Sequence, residues 1–158
     1  MSLHRIAVAA FAALLTLAAH TASAQTTVST QNEAVNAAIE HAKKTLPVFF
    51  ERLHKPLRGD TDFQIKIRFL TNQPPNGEHV WARDVKRDGT NVSATIATVP
   101  RNIPNLKQGQ RVTVPITQIT DWLVESGGKY HGAYTVRALL PYMSEKEADE
   151  MRRSLAPE

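Results

Sequence analysis

FQIKIRF, residues 63–69, decides how this chain is read. Phe63, Ile65, Ile67 and Phe69 alternate with Gln64, Lys66 and Arg68, a period of two that places four apolar side chains on one face of a β-strand. One apolar and one polar face predict a sheet covered on one side only. The cover lies upstream. Val35, Ile39, Ala42, Leu46, Phe49, Phe50 and Leu53 recur at three- and four-residue steps, the spacing of one helix face. Thr30-Gln31-Asn32-Glu33 matches a capping box at its start. Pro47 falls inside the pattern without shifting its phase, which predicts a kink or two abutting helices. Lys55 to Asp60 ends the helical region.

Downstream, Thr71 to Gly77 carries two prolines and Asn76-Gly77, and reads as a loop. His79 to Lys86 predicts a second strand, Asp88-Gly89 a hairpin turn, and Asn91 to Val99 the returning strand. Pro100 to Gln110 is a long connection. Arg111 to Ile116 predicts a further strand, and Pro115 places it at a sheet edge or a bulge. Gln118 to Val124 is a short extended segment, and Gly127-Gly128 a turn. Tyr130 to Leu140 alternates at first but ends in Ala138-Leu139-Leu140, so strand and helix both fit. Ser144-Glu145-Lys146-Glu147 is a second capping box, opening a helix with Ala148, Met151 and Leu155 inward. The sum is an α+β domain with about five antiparallel strands, an N-terminal helix laid on them and a short C-terminal helix. The sheet is either open or curled into a partly open barrel.

The beginning of the chain reads as a processed leader. Arg5 precedes an apolar run from Ile6 to Ala19, and Ala22-Ser23-Ala24 is a small-x-small cleavage signal. This predicts a signal peptide over residues 1–24, cut after Ala24, and one domain over residues 25–158 in the periplasm or secreted. The run is short for a bilayer span. The chain has no cysteine, which excludes a lipoprotein anchor, a disulfide, a thiol nucleophile and a cysteine-ligated zinc site. The net charge of +4 is spread over isolated pairs such as Lys43-Lys44, Lys86-Arg87 and Arg152-Arg153. Dispersed charge and export argue against nucleic acid as a partner.

No Gly-x-Ser-x-Gly elbow, P-loop or His-Glu-x-x-His motif is present. Glu78 beside His79 has the make-up of a tuned general base, and Asp121 of a third polar group. Each also reads as structural: a polar strand entry, and a carboxylate that fixes a turn or pairs with Arg137. The segment GGKYHGAYTVR, residues 127–137, brings three glycines that permit positive φ, together with Tyr130, His131, Tyr134 and Arg137. With Trp81 and Trp122 these residues form the candidate binding surface, because aromatic side chains on loops often recognise partners. Only His79 and His131 could converge on a metal, and their spacing does not demand it. No metal site and no cofactor are expected.

EHVWARDV, NLKQGQRVTVPITQITDWLV and GGKYHGAYTVRALL together carry a resemblance. The combination of Glu78-His79-x-Trp81, Gly109, Ile119-x-Asp121-Trp122 and Gly132-x-x-Thr135-x-Arg137 resembles the bacterial family called domain of unknown function 2314. The similar region runs from about Ala34 to the C-terminus. The resemblance implies a small α+β domain, found alone or joined to other modules. It implies no substrate, cofactor or catalytic residue.

These readings favour a periplasmic, non-enzymatic binding or accessory domain, with an immunity-type inhibitor as one version. Its partner would be an envelope or toxin protein. A monomer without stable membrane insertion is expected. The rival is a small envelope hydrolase using Glu78, His79 and Asp121, which requires those side chains to meet in one pocket.

Overall fold

The computed structural model describes residues 33–72 and 76–157. The leader and residues 30–32 of the first capping box lie outside the described residues. Helix α1 spans Glu33–His54. It buries Ala42, Leu46, Phe49 and Phe50, whose spacing keeps them on one stripe. The helix is a single element through Pro47. Pro47 is exposed. The turn it disrupts therefore faces water, which can satisfy the carbonyl that the missing N–H leaves free.

Six strands follow: β1 (Asp60–Phe69), β2 (Glu78–Asp88), β3 (Asn91–Ile96), β4 (Arg111–Pro115), β5 (Ile119–Ser126) and β6 (Lys129–Gly132). They form one open sheet in the order β4-β3-β2-β1-β5-β6. Every neighbouring pair is antiparallel. The sheet has one strand more than expected because β5 and β6 form a hairpin of their own. β2 and β3 are joined at Gly89-Thr90, with Asp88 opposite Asn91. β4 lies at an edge and ends at Pro115 opposite Asn91, where the absent N–H is tolerated. Ladder irregularities fall between Thr61 and Gln64 and between Arg83 and Lys86. Asp62 and Asp84, inside those gaps, have φ of 46° and 53°.

One face of the sheet packs on α1. Ile65, Ile67, Val80, Ala82, Val92, Ala94, Ile96, Ile119, Trp122 and Val124 form this core with the helix stripe. The other face is also covered, contrary to the expectation from FQIKIRF. Helix α2 (Tyr134–Leu139) and helix α3 (Glu145–Ser154) bring Val136, Met151 and, just past α3, Leu155 against Trp81, Leu123 and Tyr130. Gln64 and Lys66 are consequently buried, although alternation alone assigns them to solvent. The capping box at Ser144 is formed, with Ala148 and Met151 turned inward. Among the described residues no helix is long and apolar enough to cross a membrane.

The ambiguous stretch after Tyr130 is a strand and then a helix. At Gly132, φ is +76°, and a Cβ there would stand 2.4 Å from the Trp122 carbonyl oxygen. Only glycine permits that approach. The Ala133 N–H donates to the same carbonyl at 2.8 Å, and Ala133 adopts φ 53°. The chain thus leaves the sheet over Trp122 and enters α2.

Candidate functional site

The six residues of the expected binding surface fall on both sides of the sheet. Trp122 lies in the α1-facing core, with ring centroids 5.8 Å from Phe49 and 5.7 Å from Tyr134. Its Nε1 donates to Thr45 Oγ1 at 3.0 Å. Trp81 pairs with Lys66 on the opposite face, where the ammonium sits 4.7 Å from the indole centroid. Tyr130 is buried in the second core. Tyr134 stacks at a tilt on His41, 4.5 Å between centroids. Arg137 donates to the carbonyls of Gly132 at 2.9 Å and Ala156 at 2.8 Å, fastening the C-terminal segment to the end of β6. His131 is half-buried; burial and the nearby Arg52 hold its imidazole below the usual range. The structure brings Trp122 and Tyr134 together and separates both from Trp81 by the thickness of the sheet. Both indoles and Tyr130 serve as core, because ring area of that size stabilises most when removed from water.

Glu78, His79 and Asp121 each hold different partners. The Glu78 carboxylate accepts the N–H groups of Arg101 and Asn102 at 2.8 and 2.7 Å, which pins the long β3–β4 connection. His79 Nδ1 contacts Thr120 Oγ1 at 2.9 Å. Asp121 is wholly buried and does the work of a helix cap from a neighbouring strand. Ala133, the residue before α2, supplies no side-chain cap. Instead Asp121 accepts the N–H of Tyr134 at 3.1 Å and of Thr135 at 2.8 Å, together with that of Trp122 at 2.8 Å. The Thr135 hydroxyl donates to it at 2.5 Å and accepts from Lys66 Nζ at 2.6 Å. Burial pushes the Asp121 carboxyl up and the Lys66 ammonium down; their mutual attraction opposes both shifts. Lys66, Thr135 and Asp121 form a buried, satisfied network that holds α2 on the sheet. Lys66 gave no sequence signal, since its alternation marks it as a solvent residue. Asp121 and Thr135 did, through the motif that contains them.

A concavity lies elsewhere. A cleft of about 440 Å³ opens where α1 passes the ends of β1, β2 and β5. Asn36, Glu40 and Lys43 line it from α1, Arg68 from β1, His79 from β2, and Gln118 from the turn before β5. Lys43 and Glu40 pair at 2.8 Å on the exposed rim. Arg68 is different: its Nε is shielded from water and has no acceptor among the described residues. Its guanidinium lies over Gly77, where a Cβ would stand 2.8 Å from Nε. His79 is held down to about 4, first by burial and then by the positive charges of Lys66 and Arg68. It is therefore neutral at pH 7, and one ring nitrogen is engaged by Thr120. Sequence reasoning found only His79 of this group. The others come together through the β1–β2 register, Arg68 opposite His79, and through the approach of α1.

A family model described as "Uncharacterized protein conserved in bacteria (DUF2314)" matches residues 32–156. The chain belongs to this family. The match covers nearly every element described above, from the start of α1 to the segment that follows α3. Within the curated proteins, the uncharacterised protein YegJ of Escherichia coli is 32% identical over 123 residues, covering 78% of both chains. A protein of Neisseria meningitidis serogroup B named "Putative ankyrin repeat protein" is 30% identical over 129 residues. That alignment takes in 78% of this chain but 51% of the relative, so the chain spans about half of that protein's length. No solved structure matches.

Proposed function

We propose that this family member is an exported, non-enzymatic binding or accessory domain of the cell envelope, and that the cleft between α1 and the ends of β1 and β2 is its binding site. The carrying observation is Arg68, a cation at the cleft wall whose buried Nε has no acceptor among the described residues. Native proteins seldom leave a shielded N–H unsatisfied without a use for it. Export rests on the leader-like residues 1–24. The match to a relative about twice as long with an ankyrin-repeat name suits a module that acts beside others. An inhibitor that inserts an envelope or toxin protein's side chain here is one form of the same reading. The hydrolase alternative loses support because Glu78, His79 and Asp121 are each committed to separate partners.

The test is capture of partners from the cell envelope by tagged wild type and by Asn36→Trp. Asn36 is exposed on α1, so an indole there fills the cleft without entering a core. A stoichiometric partner retained by wild type and lost by the variant, at unchanged melting temperature, supports the site. A partner held equally by both proteins overturns it.

A further inference from the structure

The charge around this cleft is out of balance in a way that specifies its ligand. Two cations line it, Lys43 on α1 and Arg68 on β1, and the buried Lys66 on β1 adds its positive field at His79. Two carboxylates lie near, and both are engaged. Glu40 takes Lys43 on the rim at 2.8 Å. Asp121 is saturated by three N–H groups and the Thr135 hydroxyl, and attracts Lys66 through that hydroxyl. Arg68 is left with neither an ion pair nor a hydrogen bond among the described residues.

The neutral lining fits the same ligand. Thr117 and Gln118 offer a hydroxyl and a side-chain amide at the same wall. His79 has one ring nitrogen bound by Thr120 Oγ1, and Thr120 is itself tied to the Lys66 carbonyl at 3.3 Å. This fixes the imidazole beside Arg68, its cross-strand partner. An arginine fork with an adjacent imidazole matches the geometry of a carboxylate or phosphate, which can accept two parallel N–H bonds. A cationic ligand would meet Arg68 without an available counter-charge. A purely apolar ligand would leave the guanidinium desolvated and unpaired.

We propose that the cleft is an oxyanion site, in which a carboxylate or phosphate group of the ligand binds the Arg68 guanidinium, and the His79 imidazole adds a second N–H donor when the bound anion draws a proton onto it. This rests on the cleft being the binding site and adds the chemical class of what enters it. Anion binding would turn the Arg68 guanidinium towards the cleft and give Nε its acceptor. It would also offset the positive field on His79, so occupancy and imidazole protonation would reinforce each other.

The experiment is a titration of the whole processed protein, ¹⁵N-labelled, with acetate in one series and inorganic phosphate in another. Chloride at matched ionic strength is the control. The Arg68 Nε–H and His79 ring resonances are followed. Saturable shifts confined to the cleft are expected in at least one series, weakened at least tenfold in Arg68→Gln. The tighter series tells a carboxylate ligand from a phosphate one. The apparent pKa of His79 should rise at saturation. Shifts that do not saturate, that match chloride, or that survive Arg68→Gln overturn the proposal. Failure here with partner capture still lost in Asn36→Trp would remove the oxyanion chemistry alone. Saturable anion binding with capture unaffected by Asn36→Trp would keep the oxyanion site and remove the partner reading.

Discussion

Lys66 Nζ lies 2.6 Å from the Thr135 hydroxyl, so a strand lysine and the first turn of a helix far away in sequence share one buried contact. The hydroxyl continues to Asp121, which bonds three backbone N–H groups as well. Breaking this network from either end should have unequal effects. Asp121→Asn leaves the Lys66 ammonium buried with no counter-charge, and should destabilise by about 3–5 kcal/mol. Lys66→Met should cost less, because Asp121 keeps all four of its donors. The double variant should recover part of the Asp121→Asn loss. Urea unfolding of the three proteins measures the cycle. A cost below about 1 kcal/mol for Asp121→Asn would show that the network does not hold α2.

Gly132→Ala should be among the most damaging small substitutions. The new Cβ would stand 2.4 Å from the Trp122 carbonyl oxygen and 2.7 Å from its ring, at a backbone φ of +76°. Overpacking and a strained φ together should cost about 2–4 kcal/mol. Gly89→Ala is the control, since its positive φ is open to solvent with nothing within 4 Å. Equal melting temperatures for the two variants would contradict the close approach over Trp122.

His79 should make the fold sensitive to mild acid. Its folded pKa is about 4, against an ordinary value of 6.5. Between those values the unfolded chain binds the proton more readily, so stability should fall as pH drops from about 6.5 towards 4. The groups around it are Lys66, Arg68 and Thr120, with Glu40 and Lys43 across the cleft from α1. The loss should be on the order of 3 kcal/mol, and His79→Gln should flatten it. Denaturant midpoints against pH provide the measurement; an unchanged slope in the variant counts against the assignment.

Asp60 acts in a lower window and with the same sign. Its carboxylate accepts Arg52 Nε at 2.9 Å, a second guanidinium N–H, and the Leu57 N–H at 3.0 Å. The Arg52 guanidinium holds it at about 2, against 3.8. This contribution is therefore complete above about 3.8 and lost as pH falls through about 2. Asp60→Asn should lower stability by about 1–3 kcal/mol at neutral pH and by almost nothing near pH 2. Acid unfolding should then show two separate losses, the first from His79 and the second from Asp60. A single transition unaffected by Asp60→Asn would contradict the role of this pair at the α1–β1 connection.

Local pattern carried much of the architecture. The helix stripe ending in Phe49-Phe50, the alternation of FQIKIRF, the Asp88-Gly89 hairpin, the edge position of Pro115 and the Ser144 capping box were all legible in the sequence, because each is a rule acting over a few residues. So was the family, from motifs that recur as a set. The role of those motifs was not. Trp81 and Trp122 admitted both a recognition and a core reading, since a sequence shows ring chemistry but not exposure. Lys66 read as a solvent residue, because period-two alternation cannot report that α2 and α3 return to cover the second face. Arg68 and His79 meet only through strand register, and Lys43 reaches them only through the approach of α1. Element types and the family were readable from the residues, because they depend on short-range periodicity, local turn chemistry and motifs that recur as a set. Which polar residues are buried together, and where a cation without an acceptor among the described residues lines a cleft, emerged only in three dimensions, because both depend on contacts between segments far apart along the chain.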